Sequence, residues 1–260
     1  MSATHDLHLV GSIGLDSADE VFMTAGRLLG SHLKRIPDGE TGERGDWITW
    51  LEPVFAKHPK LEKSDELFRL HAAATPRIRY RLKRGVIPDD ITFENLFYAD
   101  NAARSYKAFV KAREEGKIPK GCKFQVDLVP AHSVIWMFLQ DDLHASLDPI
   151  YNDAVKHEIE KLQATIPHDD LAIQFDVASA VFARLERNDK SAYGQSKLAN
   201  LLFTGLTYHP GGGDHTDAYP RKLDDGAYWV LLLGGELDLD WYAYHFSNTP
   251  MAVLVRGSAS

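Results

Sequence analysis

The 260-residue chain is 44% hydrophobic and 25% charged, with a formal net charge of −8, a globular composition without the basic stripe of a nucleic-acid-binding domain. Its single cysteine, Cys122, excludes an intrachain disulfide and a metal site built from several thiolates. The first residues carry no signal-peptide pattern and no apolar run reaches the roughly 20 residues of a membrane helix, so we expect a cytoplasmic protein that binds neither nucleic acid nor membrane.

Short apolar runs alternate with longer helical patterns along the chain, without an internal repeat or a linker. A capping box at Ser17 and Glu20 and a closing Gly116 mark helix boundaries. The predicted strands are 7–14, the start of 33–47, 122–130, 170–178, 205–213, 239–248 and 251–257. The predicted helices are 17–33, 98–116, 148–167 and 224–237.

Alternating strands and helices predict a parallel sheet, because each parallel pairing needs a crossover connection. Polar residues stand where the predicted strands end, and ligands of parallel α/β folds bind at that edge. This pattern favours an enzyme that acts on a small molecule. The residues concerned are Ser12, Asp38, Glu40, Asp127, Asp176, His209 and His245.

Three segments resemble the cobalamin-independent methionine synthase superfamily, a barrel group related to uroporphyrinogen decarboxylase. They are "DGETGERGDWI" (38–48), "AIQFDVA" (172–178) and "YHPGGGD" (208–214). The resemblance implies an α/β fold in which residues 1–260 form a single (β/α) TIM-type barrel domain. The strand candidates are fewer than the eight of a complete barrel, so we expect it to be incomplete or remodelled at its C-terminal end.

The resemblance also implies a function, which is methyl or related group transfer, or a lyase reaction, with a folate-type methyl donor. Glu40 and Asp176 match carboxylates that hold the amino group of an amino-acid substrate, and His209 matches a zinc ligand. The family's next ligand, a cysteine, is Gly211 here, and a carboxylate ligand falls near His245. The catalytic candidates are therefore Asp176, His209 and His245. The substrate-binding candidates are Ser12, Asp38, Glu40, Arg44, Asp127 and Gln174.

Residues 205–220, "GLTYHPGGGDHTDAYP", allow three interpretations. His209, Asp214 and His215, together with His245, have the side chains that ligate zinc or another divalent ion. Alternatively, the glycines at 211–213 expose backbone N–H groups to an anion. The third interpretation is a turn at the end of a strand with solvated histidines.

Several single residues also carry expectations. Asp176 ends an apolar strand and is costly to bury unpaired, so we expect it to face a ligand site. Asp38 and Glu40 are alternatively solvated turn residues. Arg44 pairs either with an acidic ligand group or with Glu43 and Asp46 at the surface. We expect His132 to lie in a loop and Cys122 to be unreactive.

The segment "SAYGQSKLANLLF" (191–203) resembles the active-site helix of short-chain dehydrogenases, and the likeness extends to residue 217. Tyr193 and Lys197 would be the catalytic pair, with Ser179 upstream and NAD(P) as the cofactor. The segment "VGSIGLDS" lacks the three-glycine fingerprint of a dinucleotide site. A catalytically inactive, metabolite-binding barrel is a further alternative. An open barrel would leave a sheet edge exposed and favour an oligomer.

Overall fold

In the computed structural model, the described residues are 7–45, 48–69, 75–176 and 253–255, and they form a mixed α/β fold. The strands are β1 (Leu7–Leu9), β2 (Arg35–Pro37), β3 (Leu61–Phe68), β4 (Arg77–Leu82), β5 (Lys123–Leu128), β6 (Leu171–Phe175) and β7 (Val253–Val255). The helices are α1 (Ala18–Leu29), α2 (Glu52–Ala56), α3 (Tyr98–Glu114), α4 (Ala131–Phe138) and α5 (His144–Thr165). None of the helices within these ranges is both long and apolar enough to cross a membrane.

A parallel sheet in the order β2–β5–β6 positions the site, as the alternation of strands and helices predicts. Phe124 of β5 is aligned with Ile36 on one side and with Leu171 on the other. β1 lies beside β2, through a parallel bridge between Leu7 and Leu33. The carboxyl ends of these four strands therefore point to the same edge.

β7 falls inside the strand predicted at 251–257 and pairs antiparallel with β1. In that pairing Leu7 is aligned with Val255 and Leu9 with Val253. A (β/α) barrel has parallel strands only, so this direction differs from the one that the barrel prediction implies. A short apolar run has the same pattern in both directions, so sequence periodicity contains no information on strand direction.

The chain between β2 and β5 forms the antiparallel hairpin β3–β4, which the sequence pattern does not predict. Only Leu61, Ser64 and Phe68 of β3 are buried, so the strand lacks the strict alternation of a half-buried strand. Arg79 of β4 attaches the hairpin to the next helical region. Its guanidinium donates to the Trp136 carbonyl and to the Asp141 carboxylate, both at 2.8 Å.

Helix α1 begins as the capping box predicts, because the Ser17 hydroxyl accepts from the Glu20 amide at 3.3 Å. The Glu20 carboxylate accepts from the Asp16 amide at 3.1 Å, one residue before the expected partner. The helix ends at Leu29, and a 3-10 turn over Gly30–His32 takes the place of the predicted last turn. Gly116 has a φ of 72°, in agreement with its predicted role after α3.

Two aromatic clusters contribute to the core. In the first, the rings of Phe22, Phe109 and Phe124 join α1, α3 and β5, with centroids 5.5–6.1 Å apart. In the second, Phe55 lies 4.9 Å from Phe138 and 5.9 Å from Tyr151, between α2, α4 and α5. Burial of such rings contributes on the order of 2 kcal/mol each.

Helices α4 and α5 differ from the sequence predictions. His132 is a buried residue of α4, so its assignment to a loop is wrong. All but one of the residues of α4 are buried. A helix buried on nearly all sides has no polar face, so its sequence lacks the periodic pattern that predicts an amphipathic helix. Helix α5 begins at His144, four residues before the predicted start, because a 3-10 turn over Asp141–Leu143 leads directly into it.

Glu158 of α5 is 1% exposed and caps the start of α3. Its carboxylate accepts from the Leu96 amide at 3.3 Å and from the Ala99 amide at 2.8 Å. These amides have no intrahelical partner, so a side chain from another helix satisfies them. Phe97 between them takes the left-handed conformation, with a φ of 64°.

We expect Glu158→Ala to lower the free energy of unfolding by about 3 kcal/mol, since two buried amides lose a charged acceptor. Urea denaturation followed by circular dichroism measures the change. Glu160→Ala, at an exposed position of the same helix, is the matched control and should change stability by less than about 0.5 kcal/mol. Equal effects of the two substitutions would contradict the capping role of Glu158.

Candidate functional site

The described candidates converge at the carboxyl edge of the four neighbouring strands. Ser12 follows β1, Asp38 and Glu40 follow β2, and Asp176 follows β6. Asp127 is the penultimate residue of β5, at the same edge. Asp38, Glu40 and Asp127 are buried, with 5%, 6% and 8% exposure, so the alternative of solvated turn residues is wrong for Asp38 and Glu40.

The turn after β2 is held in place by its own backbone and by helix α1. Gly39 has a φ of 78°, and a Cβ there would lie 2.7 Å from the Val21 side chain, so the position requires glycine. The Glu40 amide donates to the Asp38 carboxylate at 3.0 Å. The Ser12 hydroxyl donates to the Glu40 carboxylate, which fixes the acid against the loop that follows β1.

Arg44 lies in the 3-10 turn Gly42–Arg44 and pairs with Asp38 at 2.5 Å. The exposed fractions of the two side chains are 18% and 7%. The expected surface pairing with Glu43 and Asp46 is thus not the arrangement found; Asp46 lies outside the described residues. Arg44 neutralises the Asp38 carboxylate, whereas the Glu40 carboxylate accepts a hydrogen bond from the Ser12 hydroxyl.

The inner face of β5 and β6 repeats one arrangement, a glutamine followed two residues later by an aspartate. Gln125 donates to Asp127 Oδ1 at 2.8 Å, and Gln174 donates to Asp176 Oδ1 at 2.7 Å. Both amide nitrogens also donate to the carbonyl of Val10, beyond the end of β1. We call this arrangement the paired Gln-x-Asp strands.

Gly11 leaves space beside both aspartates. A Cβ built on Gly11 would lie 3.4 Å from Oδ2 of Asp127 and 3.7 Å from Oδ2 of Asp176. The Oδ1 atoms are bound by the glutamines, so the Oδ2 atoms are the ones that face this space. Each aspartate therefore presents one carboxyl oxygen toward the same point of the site.

Burial raises the pKa of the carboxyl groups. The pKa of Glu40 rises to about 7, opposed by the Ser12 hydrogen bond and by the Arg44 charge. Burial, with the neighbouring Glu40 carboxylate, raises the pKa of Asp176 to about 8. The pKa of Asp127 is also well above its usual value, because of burial and the charges of Asp176 and Glu40. Glu40 and Asp176 therefore exchange protons near neutral pH.

Sequence reasoning missed further residues of this region. The Tyr98 hydroxyl, at the start of α3, accepts from the Val129 amide at 3.3 Å, just after β5. Burial, together with Glu40 and Asp176, raises its pKa above the usual range. Trp50 contacts the Tyr98 ring edge-on, with centroids 5.1 Å apart. An aromatic residue at a helix start resembles core, and we find no sequence signal that would have indicated Tyr98.

His8 and Gln125 were also missed. His8 Nε2 lies 2.7 Å from Gln174 Oε1, and burial lowers the pKa of the imidazole to about 4. Gln125 has the same position in its strand as Gln174, so the repeated "FQVD" and "IQFD" segments were a signal available in the sequence. Burial raises the pKa of the Cys122 thiol to about 12, in agreement with an unreactive cysteine.

The candidates of the C-terminal region lie outside the described residues. They are the proposed metal ligands His209, Asp214, His215 and His245 and the dehydrogenase pair Tyr193 and Lys197, with Ser179. Within the described ranges, no three or more His, Cys, Asp or Glu side chains are grouped so that they could hold a metal ion.

Comparisons of this chain with protein-family models, with curated proteins and with solved structures found no match.

Proposed function

We propose that this protein is a small-molecule enzyme of the methionine-synthase-like barrel type, with methyl or related group transfer as its reaction. One observation carries the proposal. Buried or partly buried carboxyl groups from three parallel strands meet at the carboxyl edge of the sheet, beside the loop after β1. They are Asp38, Glu40, Asp127 and Asp176.

The proposed barrel is supported by the arrangement of its first strands. β1, β2, β5 and β6 are neighbours in chain order, with the hairpin β3–β4 as an insertion. Gln125 and Gln174 reach across from the inner face of the sheet to the carbonyl of Val10. Contacts of this kind require a sheet that curves round toward its first strand, as barrel closure does.

The chemistry of the site follows from its charges. Buried carboxylates are unfavourable without a partner, and among these acids the described ion pairs neutralise only Asp38, through Arg44. A substrate ammonium group held by Glu40 and Asp176 would supply the missing positive charge. A carboxyl group that titrates near neutral pH is also suited to proton transfer at the reacting atom.

Zinc, if this protein uses it, would activate a substrate thiol for methyl transfer. The residues proposed to hold it are His209, Asp214, His215 and His245, and the described acids do not form such a set. The role assigned to Glu40 and Asp176 is to bind and orient the substrate.

We expect the purified protein to methylate a sulfur-containing L-amino acid from a methylfolate. Asp176→Asn should reduce kcat/KM at least about 100-fold, because it removes a charge that contacts the substrate. The asparagine oxygen can still accept from Gln174, so the fold is retained. A turnover assay measures kcat/KM and isothermal calorimetry measures binding of the amino acid, with Asp169→Asn at an exposed position as the control.

Each alternative gives a different outcome in the same assays. If Asp176→Asn leaves the turnover unchanged, the assignment of Asp176 to the substrate-binding site is wrong. Turnover that needs a nicotinamide cofactor and is lost in Tyr193→Phe would favour the dehydrogenase. Stoichiometric binding of the amino acid without turnover would favour an inactive, metabolite-binding barrel.

A further inference from the structure

Among the described residues, only two that are not glycine take the left-handed backbone conformation. They are Glu40, with a φ of 49°, and Phe97, with a φ of 64°. This conformation is unfavourable for any residue with a large side chain, because the Cβ atom comes too close to the backbone. Residues held in such conformations concentrate at functional sites. Glu40 already belongs to the proposed substrate site, so Phe97 becomes a candidate for a second contact.

Phe97 lies at the same edge of the sheet as Glu40. It directly precedes α3, and the hydroxyl of the next residue, Tyr98, accepts from the Val129 amide just after β5 at 3.3 Å. Burial and, to a smaller extent, the nearby Glu40 charge raise the pKa of that hydroxyl above its usual range. The Tyr98 ring also contacts Trp50, from the turn that follows the site loop after β2. The two left-handed residues therefore belong to neighbouring parts of one edge.

The backbone of Phe97 is fixed by hydrogen bonds on both of its sides. Its amide donates to Oδ1 of Asn95 at 2.7 Å, and its carbonyl accepts from the Asn101 amide at 3.1 Å. The Glu158 carboxylate binds the amides of the residues that flank this turn, as described above. None of these bonds needs an aromatic side chain at residue 97. A residue that tolerates the left-handed region, such as asparagine, would keep the same turn.

The turn leaves the ring of Phe97 half in solvent. The side chain is 45% exposed, whereas Leu96 and Tyr98 on either side are buried. Burial within this chain thus provides only part of the free energy that a phenyl ring gains in a core. In the chain, Phe97 stands between the exposed acids Glu94 and Asp100, and not in an exposed apolar run. This setting argues against the extended apolar patch of a protein interface and favours a small ligand.

We propose that Phe97 is a contact residue for a planar ring of a ligand, which stacks on the phenyl face at the open side of the site. The assignment rests on the proposed function, in which Glu40 and Asp176 hold one substrate and a second must approach from the solvent side. Aromatic rings attract each other in offset or edge-on arrangements. The left-handed turn holds the ring in place before the ligand arrives, which lowers the entropic cost of binding.

The test uses 2-naphthol as the planar probe and decahydro-2-naphthol, its saturated analogue, as the control. Chemical-shift titration of the full-length protein should show saturable binding of 2-naphthol, about fivefold tighter than that of the saturated compound, because only the planar ring can stack. Equal affinities of the two compounds would overturn the ring contact.

Two variants of Phe97 locate the probe. Phe97→Asn removes the ring and should weaken 2-naphthol binding at least about fivefold, whereas Phe97→Tyr keeps the ring and should stay within about twofold of the unchanged protein. Leu28→Gln, at an exposed apolar position of α1, is the matched control and should bind 2-naphthol as the unchanged protein does.

Urea denaturation of Phe97→Asn separates a ligand contact from a structural one. The unfolding midpoint should change little, because asparagine tolerates the conformation and the lost ring is only half buried. A clearly lower midpoint with unchanged 2-naphthol binding would show that the ring serves the fold, and would overturn the inference. Self-association in sedimentation that Phe97→Asn abolishes, with 2-naphthol binding unchanged, would assign the ring to a protein contact and would also overturn it.

The outcome is separable from the test of the proposed function. In a methyl-transfer assay, Phe97→Asn should raise the KM for the methyl donor and leave the KM for the amino acid unchanged. Turnover with both KM values unchanged would leave the function standing and remove the ring contact. Binding of 2-naphthol that is lost in Phe97→Asn, in a protein without methyl-transfer activity, would establish the ring contact and remove the proposed function.

Discussion

Gly26→Ala should lower the free energy of unfolding by about 3 kcal/mol, although alanine is the better helix former by about 1 kcal/mol. Gly26 is buried in α1, and a Cβ there would lie 2.1 Å from the Lys117 carbonyl oxygen and 3.0 Å from its carbonyl carbon. Both atoms belong to the backbone, so no side-chain rotation relieves the overlap. Helix α1 would have to move away from the segment that follows α3.

Urea denaturation of the two proteins measures this difference, with Gly11→Ala as the matched control. A Cβ at Gly11 meets its nearest atom at 3.4 Å, and Gly11→Ala should change stability by less than about 1 kcal/mol. An unfolding midpoint of Gly26→Ala equal to or above that of the unchanged protein would show that α1 and residue 117 are not in contact.

The site acids should make the folded protein less stable as pH rises from about 4 to about 8. The pKa of Asp176 is about 8 and that of Glu40 about 7 in the folded state, above their usual values, so the folded protein holds more protons than the unfolded chain across this range. The contribution of these two groups to stability is therefore highest at the acidic end and is lost as pH rises. Asp176→Asn should raise the free energy of unfolding by about 2 kcal/mol at pH 8 and much less at pH 5.

Asp170 provides a control, because its contribution to stability changes with pH in the opposite direction. Arg113 binds its carboxylate at 2.5 and 2.7 Å and holds its pKa below the usual value. Its stabilising contribution is present above the unfolded pKa and is lost as pH falls, so Asp170→Asn should lower stability at pH 7. Unfolding midpoints at several pH values measure both trends. If Asp176→Asn lowered the free energy of unfolding at pH 8 as much as Asp170→Asn does, the pKa of Asp176 would not be raised.

The sequence predicted helices α1 and α3 and strands β5 and β6 because each has a local signal. Ser17 and Gly116 satisfy backbone requirements that any helix end has, and these depend on neighbouring residues alone. The hairpin β3–β4 and helix α4 lacked such a signal. Their burial depends on contacts with distant segments, such as Arg79 with Trp136, which periodicity does not report.

The clustering of the described site residues could be predicted from one rule, which is that parallel strands bring their carboxyl ends together. That rule placed Ser12, Glu40, Asp127 and Asp176 at one edge, and their roles in binding and catalysis stay predictions. It did not indicate Gln125 or His8, because both lie within their strands and not at the strand ends. Neither did it indicate Tyr98, which reaches the edge from a helix.

The hydrogen bonds of the paired glutamines also constrain the order in which the protein forms. Gln125 and Gln174 bind carbonyls at the end of β1 across sequence separations of 116 and 164 residues. Contacts of such separation form late, because the intervening chain must first be ordered. We expect Asp127 and Asp176 to stay hydrated during synthesis until β6 has emerged and paired with β5. We therefore expect the unfavourable burial of the two carboxyl groups to be a late step of folding.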